Sequence, residues 1–105
     1  WHLRRDRIMD KLEKDLAGKL KLLKFTFSKT SDIVGRANIV AIERQREVLI
    51  KIIADIEEIK LKILEAKFER EDDQETITNW SKNVEQQIEN VDVEVKKLQK
   101  HLNEI

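Results

Sequence analysis

The chain has 105 residues, of which 40% are charged and 5% are aromatic, with two glycines, no proline and no cysteine. Lysine and arginine balance aspartate and glutamate at 21 each, so the net charge is zero. This length fits one domain and the composition is typical of long helices, whereas the absence of cysteine excludes disulfides, a thiol nucleophile and thiolate metal sites.

The first predicted helix covers residues 4–34. Its apolar residues recur every three or four positions, with Met9 and Leu22 beside them: Ile8, Leu12, Leu16, Leu20, Leu23 and Phe27. The same spacing continues to Ser31 and Val34, so "FTFSKTSDIV" is predicted to end this helix with its hydroxyl groups facing solvent. A β-hairpin would need two alternating runs, and only "KFTFS" alternates. Gly35 then fits a C-terminal cap with positive φ, and Asn38 fits the N-cap of the next helix.

The second predicted helix covers residues 39–70 and carries the widest apolar stripe. Its central seam consists of Ile42, Gln45, Leu49, Ile52, Ile56, Ile59, Ile63 and Ala66. Six further residues widen the seam, namely Val48, Ile50, Ile53, Leu61, Leu64 and Phe68. Because a two-stranded coiled coil needs only a narrow stripe, this width predicts contact with two neighbouring helices.

Gln45 is the polar member of that seam. A polar seam residue often fixes the register of helix pairing at some cost in stability. The substitution Gln45→Leu is therefore predicted to raise the melting temperature, and a fall would mean that Gln45 faces solvent or makes a specific buried contact.

The third predicted helix covers residues 73–105. Its single apolar stripe consists of Ile77, Trp80, Val84, Ile88, Val91, Val95, Leu98, Leu102 and Ile105. Asp72 stands three residues before Glu75, which predicts a capping box at the start of this helix. Trp80 is expected to pack in the core, although it could instead anchor a partner.

Three helices of nearly equal length, joined by short turns, predict an antiparallel up-down-up arrangement in which the first and third helices pack against the second. The expected fold is all-α, an extended antiparallel three-helix coiled-coil bundle formed by a single domain over residues 1–105. The chain begins with Trp1 rather than Met, so we expect it to be a piece of a larger protein. The lack of cysteine assigns no compartment, although an intracellular location is favoured.

Charge is unevenly spread along the chain. Residues 1–34 carry nine basic against five acidic residues, whereas residues 71–105 carry four against nine. The two thirds would attract each other as neighbours in the bundle, or the basic third could bind nucleic acid. The predicted nucleic-acid patch consists of Trp1, Arg4, Arg5, Arg7, Lys11 and Lys14, since an aromatic ring among basic residues can stack a base and contact phosphates. A solvated helix start is the alternative.

No residue pattern predicts catalysis. His2 and His101 each stand alone, and no phosphate loop, nucleophile elbow or calcium loop is present. The acidic segment "EREDDQE" lacks the oxygen spacing and central glycine of a calcium loop and fits a helix N-terminus. We therefore expect no enzymatic activity, no catalytic residues, no metal, no cofactor and no small-molecule substrate.

The segment "KFTFSKTSDI", followed by an Ile-rich helix and then "EREDDQETITNWSKNVEQQIENVDVEVKKLQKHL", resembles the helical N-terminal region of gag-like polyproteins from Pao/BEL-type retroelements. That resemblance implies a structural or assembly role, with RNA or partner subunits. The chain is also similar in length and helix number to a spectrin-like repeat. Its tryptophan segment "ETITNWSKNVEQQI" falls in the third helix, however, rather than in the first as in that family.

The function predicted from the sequence is a non-enzymatic structural or interaction module that acts in assembly or scaffolding through helix–helix contacts, with a protein partner or with itself. Nucleic-acid binding by the basic first helix is the alternative. Binding to a membrane surface is ranked last, because the apolar stripe of the first helix is expected to be committed to the bundle.

Overall fold

The computed structural model describes the backbone of residues 2–104 and the side chains of residues 7–104. It contains α1 (His2–Phe27), α2 (Thr30–Gly35), α3 (Ile39–Glu69) and α4 (Gln74–Glu104). The short α2 follows α1 after a two-residue turn, so the chain consists of three long helical segments in a body of 55 × 23 × 16 Å. The predicted all-α three-helix bundle is confirmed, and its three segments close within one chain.

Both α1 and α4 pack against α3 and run antiparallel to it. The contacts that establish the direction are Lys19 with Asp55, Thr26 with Gln45, Lys60 with Glu85, and Lys67 with Trp80. In each helix pair the residue number rises along one helix as it falls along the other. The basic first third and the acidic last third of the chain therefore lie parallel to each other, on either side of α3.

The core lies along the axis of the bundle and is built by all three segments. Its buried apolar side chains come from α1 (Met9, Leu16, Leu23), α3 (Ile42, Leu49, Ile52, Ile53, Ile56, Ile63) and α4 (Val84, Ile88, Val91, Leu98). Each such side chain stabilises the fold by about 1.5–3 kcal/mol through removal from water. This set confirms that the predicted seams of α3 and α4 face the core, with Ile59, Ala66, Trp80, Val95 and Leu102 partly buried against it, whereas Ile105 lies outside the described residues.

The predicted stripe of α1 is wrong at its first residue. Met9 is buried and Ile8 is exposed. Met9, Leu16 and Leu23 repeat every seven residues and so share one face, whereas Ile8 lies about 100° around the helix from Met9. The core line of α1 therefore passes through Met9.

The first helical segment is interrupted at residues 28–29, which corrects the prediction of one continuous helix over residues 4–34. The Ser28 hydroxyl donates to the Phe25 carbonyl at 2.6 Å, and the Lys29 N–H reaches the Thr26 carbonyl at 3.2 Å in a tightened turn. Hydroxyl side chains compete for backbone groups in this way and weaken a helix. Thr30, expected to face solvent, is instead buried.

The turn after α2 places its positive φ at Ala37 (54°) and not at Gly35, which corrects the expected glycine cap. Gly35 is the last residue of α2 and Arg36 is the C-cap, so the left-handed position falls one residue further on. The predicted N-cap of α3 is confirmed, since the Asn38 side chain accepts a hydrogen bond from the Ala41 N–H at 3.1 Å.

The turn between α3 and α4 is a Schellman motif with Glu71 in the left-handed conformation at φ 60°. The Asp72 N–H bonds to the Lys67 carbonyl at 3.1 Å and the Glu71 N–H bonds to the Phe68 carbonyl at 3.0 Å, which is the pattern of that motif.

The residue that caps α4 is Asp73. Its carboxylate accepts from the Thr76 N–H at 3.2 Å, so the predicted capping box of Asp72 and Glu75 is wrong. Asp72 binds Arg70 instead, at 2.6 and 2.8 Å. The Asp72 N–H closes the turn that ends α3, so Asp73 is the first residue after that turn.

Candidate interaction surfaces

The wide apolar stripe of α3 divides between the core and the solvent. Ile53 is buried and Leu64 is half-buried, but Ile50, Leu61 and Phe68 are 40%, 58% and 59% exposed. Val48, on another side of α3, is exposed as well. The predicted contact of α3 with two neighbouring helices is confirmed, but α1 and α4 cover only part of the circumference of α3 and leave four of the six widening residues exposed.

Ile50, Leu61 and Phe68 form one line on the outside of the bundle. They are separated by 11 and 7 residues, which at 100° per residue places them within about 20° of a common direction. The line is about 27 Å long at 1.5 Å per residue. Exposed glutamates flank it on the same side of the helix: Glu43, Glu47, Glu57 and Glu65. We call these seven residues the α3 surface.

None of the four glutamates of the α3 surface has an ion-pair partner among the side chains of residues 7–104. Arg46 stands three residues after Glu43, and its Nε is buried without a hydrogen-bond partner within that same range. The α3 surface therefore combines an apolar line with unneutralised negative charge.

The outer side of α1 has the opposite charge. Six exposed residues follow one another at spacings of three and four: Arg7, Lys11, Lys14, Gly18, Lys21 and Phe25. Two exposed apolar side chains, Ile8 and Leu22, lie at the edge of this row, as does the acidic Asp15. We call the six residues, with Ile8 and Leu22, the α1 surface.

The basic residues of the α1 surface are not paired with carboxylates within residues 7–104. Three residues of the predicted nucleic-acid patch, Arg7, Lys11 and Lys14, belong to it and share one face. The other three, Trp1, Arg4 and Arg5, have side chains outside the described residues.

Gly18 leaves a gap in the middle of the α1 surface. A Cβ atom built at Gly18 would meet nothing within 4 Å. An open groove of about 660 Å³ surrounds this position, lined by Lys11, Lys14, Asp15, Gly18, Lys19, Leu22 and Ile59. Glycine in a helix interior costs about 1 kcal/mol of stability relative to alanine. No neighbouring atom within the described part of the bundle approaches Gly18 closely enough to require a residue without a Cβ atom.

Phe25 is the aromatic residue of the α1 surface and is 61% exposed. The Lys29 ammonium lies 4.7 Å from its ring centre, a cation–π contact at the end of α1. Sequence reasoning missed Lys21 and Phe25 as site residues. Continuing the three-and-four spacing of Lys11 and Lys14 through Gly18 would have found both.

Gln45 lies at the crossing between α3 and the break in the first segment. Its Nε2 donates to the Thr26 carbonyl at 2.7 Å and to the Thr30 hydroxyl at 3.1 Å. A shift of α1 by one turn would leave these buried groups without partners, so the hydrogen bonds favour the observed register. The earlier expectation for Gln45→Leu is reversed, because leucine cannot replace them.

Ion pairs between the helices join α1 to α3 and α3 to α4 within residues 7–104. Asp55 accepts from Lys51 at 2.9 Å and from Lys19 of α1 at 3.2 Å, and these two hydrogen bonds hold the pKa of the Asp55 carboxyl below its ordinary value. Lys60 donates to Glu85 of α4 at 2.8 Å, which lowers the pKa of that carboxyl. These pairs sit at the seam edges, where charge contributes to the choice and orientation of neighbours.

Lys67 and Trp80 form a contact between α3 and α4 near the acidic turn. Lys67 is buried, and its ammonium lies 5.1 Å from the centre of the half-buried Trp80 ring. Trp80 therefore packs against the core, as expected, and its ring also contacts the Lys67 ammonium.

No group of three or more metal-ligating side chains occurs in the described part of the chain, and the same part contains no helix long and apolar enough to cross a membrane. In addition to the open groove, the structure has a cleft of about 200 Å³ between α1 and α4, which Phe27 and Gln87 help to line. No family model, curated protein or solved structure matches this sequence.

Proposed function

We propose that this protein is a non-enzymatic coiled-coil module that serves assembly or scaffolding by docking helices. The observation that carries the proposal is the apolar line of the α3 surface, exposed along about 27 Å of the bundle. Apolar patches bordered by polar residues are characteristic of protein interaction sites. The resemblances to gag-like regions and to spectrin-like repeats imply the same kind of role and stay proposals.

The chemistry of the α3 surface fits a basic amphipathic helix. An apolar stripe on such a helix would cover Ile50, Leu61 and Phe68, and each could contribute roughly 1 kcal/mol by burying its exposed part. Lysines or arginines beside that stripe would meet the four glutamates. Because these charges are exposed, their attraction weakens as salt is added.

The test is the affinity for a synthetic helical peptide of leucine and lysine, followed by fluorescence anisotropy. Leu61→Glu should weaken binding at least tenfold, since it places a charge in the apolar line. The matched control is Val48→Glu, which makes the same kind of change at another exposed residue of α3, about 140° around the helix from Leu61. Equal affinities for the two variants would overturn the proposal, provided that circular dichroism shows both to be folded.

Nucleic-acid binding by α1 is the second candidate. It is favoured by the position of Arg7, Lys11 and Lys14 on one exposed face, where none of them is paired with a carboxylate within residues 7–104. Phosphate contacts release counterions, so the affinity for single-stranded RNA should fall steeply with salt. Charge reversal at Lys11 and Lys14 should abolish retention by RNA, whereas reversal of Lys96 and Lys97 on α4 should not. Unchanged retention in the first variant would reject this candidate.

Membrane-surface binding by α1 is the third candidate. The apolar residues of α1 were expected to pack inside the bundle, but Ile8, Leu22 and Phe25 are exposed. A helix with such residues among lysines can lie on an anionic bilayer. Co-sedimentation with anionic liposomes tests this candidate, and an absence of pelleting would reject it.

A further inference from the structure

We propose that the α3 surface binds the α1 surface of a second copy of this chain, so that copies join head to tail. This inference rests on the proposed function, since it names the partner of the α3 surface. Its first support is charge complementarity between two faces of one molecule. The α1 surface carries four basic residues and the α3 surface carries four glutamates, and none of the eight forms an ion pair within residues 7–104. A chain with zero net charge has no overall repulsion to oppose such contact.

The two surfaces also match in length. From Ile8 to Phe25 the α1 surface extends about 26 Å, and from Ile50 to Phe68 the α3 surface extends about 27 Å. Both carry exposed apolar side chains at their two ends. A helix-to-helix contact of this length could bury Phe25 together with the apolar line of the α3 surface, whereas Ile8, about 100° around α1 from Phe25, would lie at its edge.

A parallel alignment of the two helices places the gap of one surface opposite the apolar side chain at the middle of the other. Leu61 stands 11 residues after Ile50 and 7 before Phe68, whereas Gly18 stands 10 after Ile8 and 7 before Phe25. Leu61 of one copy would therefore enter the groove around Gly18 of the next, as a knob enters a hole.

The same alignment brings opposite charges together. Residue 14 of one copy lies beside residue 57 of the next, which pairs Lys14 with Glu57. Lys21 falls within one residue of the position facing Glu65. The alignment is thus specified by charge as well as by shape.

Head-to-tail contact between unlike surfaces leaves a pair with a free α1 surface on one copy and a free α3 surface on the other, so that further copies can add. The expected product is a concentration-dependent series of oligomers. This is distinct from a closed dimer formed by two α3 surfaces, which would stop at two copies.

The decisive experiment is sedimentation velocity of the full chain over a wide concentration range, with two blocking variants. Gly18→Trp fills the gap of the α1 surface and Leu61→Glu disrupts the α3 surface, so each variant alone should be monomeric. A mixture of the two retains one compatible pair of surfaces and should give a 1:1 heterodimer that grows no further. A mixture that stays monomeric, or a Gly18→Trp variant that associates like the unmodified chain, would overturn the inference.

Charge exchange provides a second test that does not depend on the tolerance of Gly18 to tryptophan. Lys14→Glu and Glu57→Lys should each lower the association constant at least tenfold, since like charges would face each other. The chain carrying both changes, and the mixture of the two single variants, should recover association because opposite charges face each other again. Failure of both to recover it would refute the parallel alignment.

These outcomes separate the inference from the proposed function. If the unmodified chain stays monomeric while the leucine–lysine peptide still binds the α3 surface, the partner is not a second copy and the docking function stands. If the peptide does not bind either, the docking function itself is rejected. If Lys14→Glu loses RNA retention but leaves association unchanged, the α1 surface serves nucleic acid instead.

Discussion

Ile56 and Leu61 are five residues apart on α3, and their environments are opposite. Ile56 is fully buried between α1 and α4, whereas Leu61 is largely exposed on the outer side, about 140° around the same helix. Both residues belong to one broad apolar stripe in the sequence. The difference teaches that a wide stripe on a central helix has two parts, one that stabilises the fold and one that remains available for contact.

The largest expected effect tests that division directly. Ile56→Ala should lower the free energy of unfolding by roughly 2–5 kcal/mol, because it opens a cavity in the core. Leu61→Ala should change it by less than about 0.5 kcal/mol in the monomer, because the side chain is mostly in water. Urea denaturation at low protein concentration measures both. Similar losses would contradict the division, since Leu61 would then be packed within the fold.

Gln45→Leu examines the polar position on the inner side of α3. Removal of the amide leaves the Thr30 hydroxyl buried without its donor. Burial of the leucine side chain offsets part of this cost, and we expect the free energy of unfolding to fall by about 1 kcal/mol. Thermal unfolding measures this as a fall in Tm of several degrees. Adding Thr30→Val removes the second polar group and should restore most of the loss. A rise in Tm for Gln45→Leu alone would show that the hydrogen bonds contribute little.

Glu71→Gly tests whether the end of α3 is held by a strained residue. Glu71 adopts φ 60°, which costs a residue with a side chain roughly 1 kcal/mol relative to glycine. We expect an increase of about 0.5–1 kcal/mol in unfolding free energy, measured by urea denaturation. The control is Glu69→Gly, at the last residue of α3 and two residues before Glu71, which should decrease the free energy of unfolding. A decrease for Glu71→Gly would indicate that the Glu71 side chain stabilises the turn.

The smallest effect concerns the charged edge between the inner and outer parts of α3. The pKa of Asp55 is lowered from 3.8 by hydrogen bonds from Lys51 and then Lys19, so its contribution to stability is present above pH 3.8. It is lost as the pH falls through 3.8 and the lower folded-state pKa. The stability of Asp55→Asn should therefore depend less on pH between 5 and 2 than that of the unmodified chain, as measured by thermal unfolding. An unchanged profile would mean that the pair has no net effect. Asp92→Asn, at an exposed residue of α4 that forms no ion pair with the described side chains, is the control.

The two proposed surfaces were predictable to different degrees. Part of the α1 surface follows from the sequence, since the basic residues Arg7, Lys11 and Lys14 stand at helical spacing in a basic third of the chain. Phe25 does not follow from the sequence, because the pattern of its segment predicts a helix end and no site. The α3 surface could not be predicted, because an apolar residue in a wide stripe has the same pattern whether a neighbour covers it or not.

The sequence by itself determined the number of long helices, their order and most of their core. The stripe of α4 illustrates the reason: apolar residues at a strict three-and-four spacing have only one face to bury. Asn38 also followed from local chemistry, since its side chain needs only the first turn of α3.

The tertiary structure decided three features that depend on distant residues or on small shifts of helix ends. Gln45 of α3 donates hydrogen bonds to Thr26 and Thr30, on the two sides of the break at residues 28–29. The break therefore involves a residue of another helix, and local helix propensity does not reveal it. The left-handed residue is Ala37, because α2 extends through Gly35 and moves the cap onward. The exposure of Leu61 depends on where α1 and α4 lie around α3, which is a property of packing and not of periodicity.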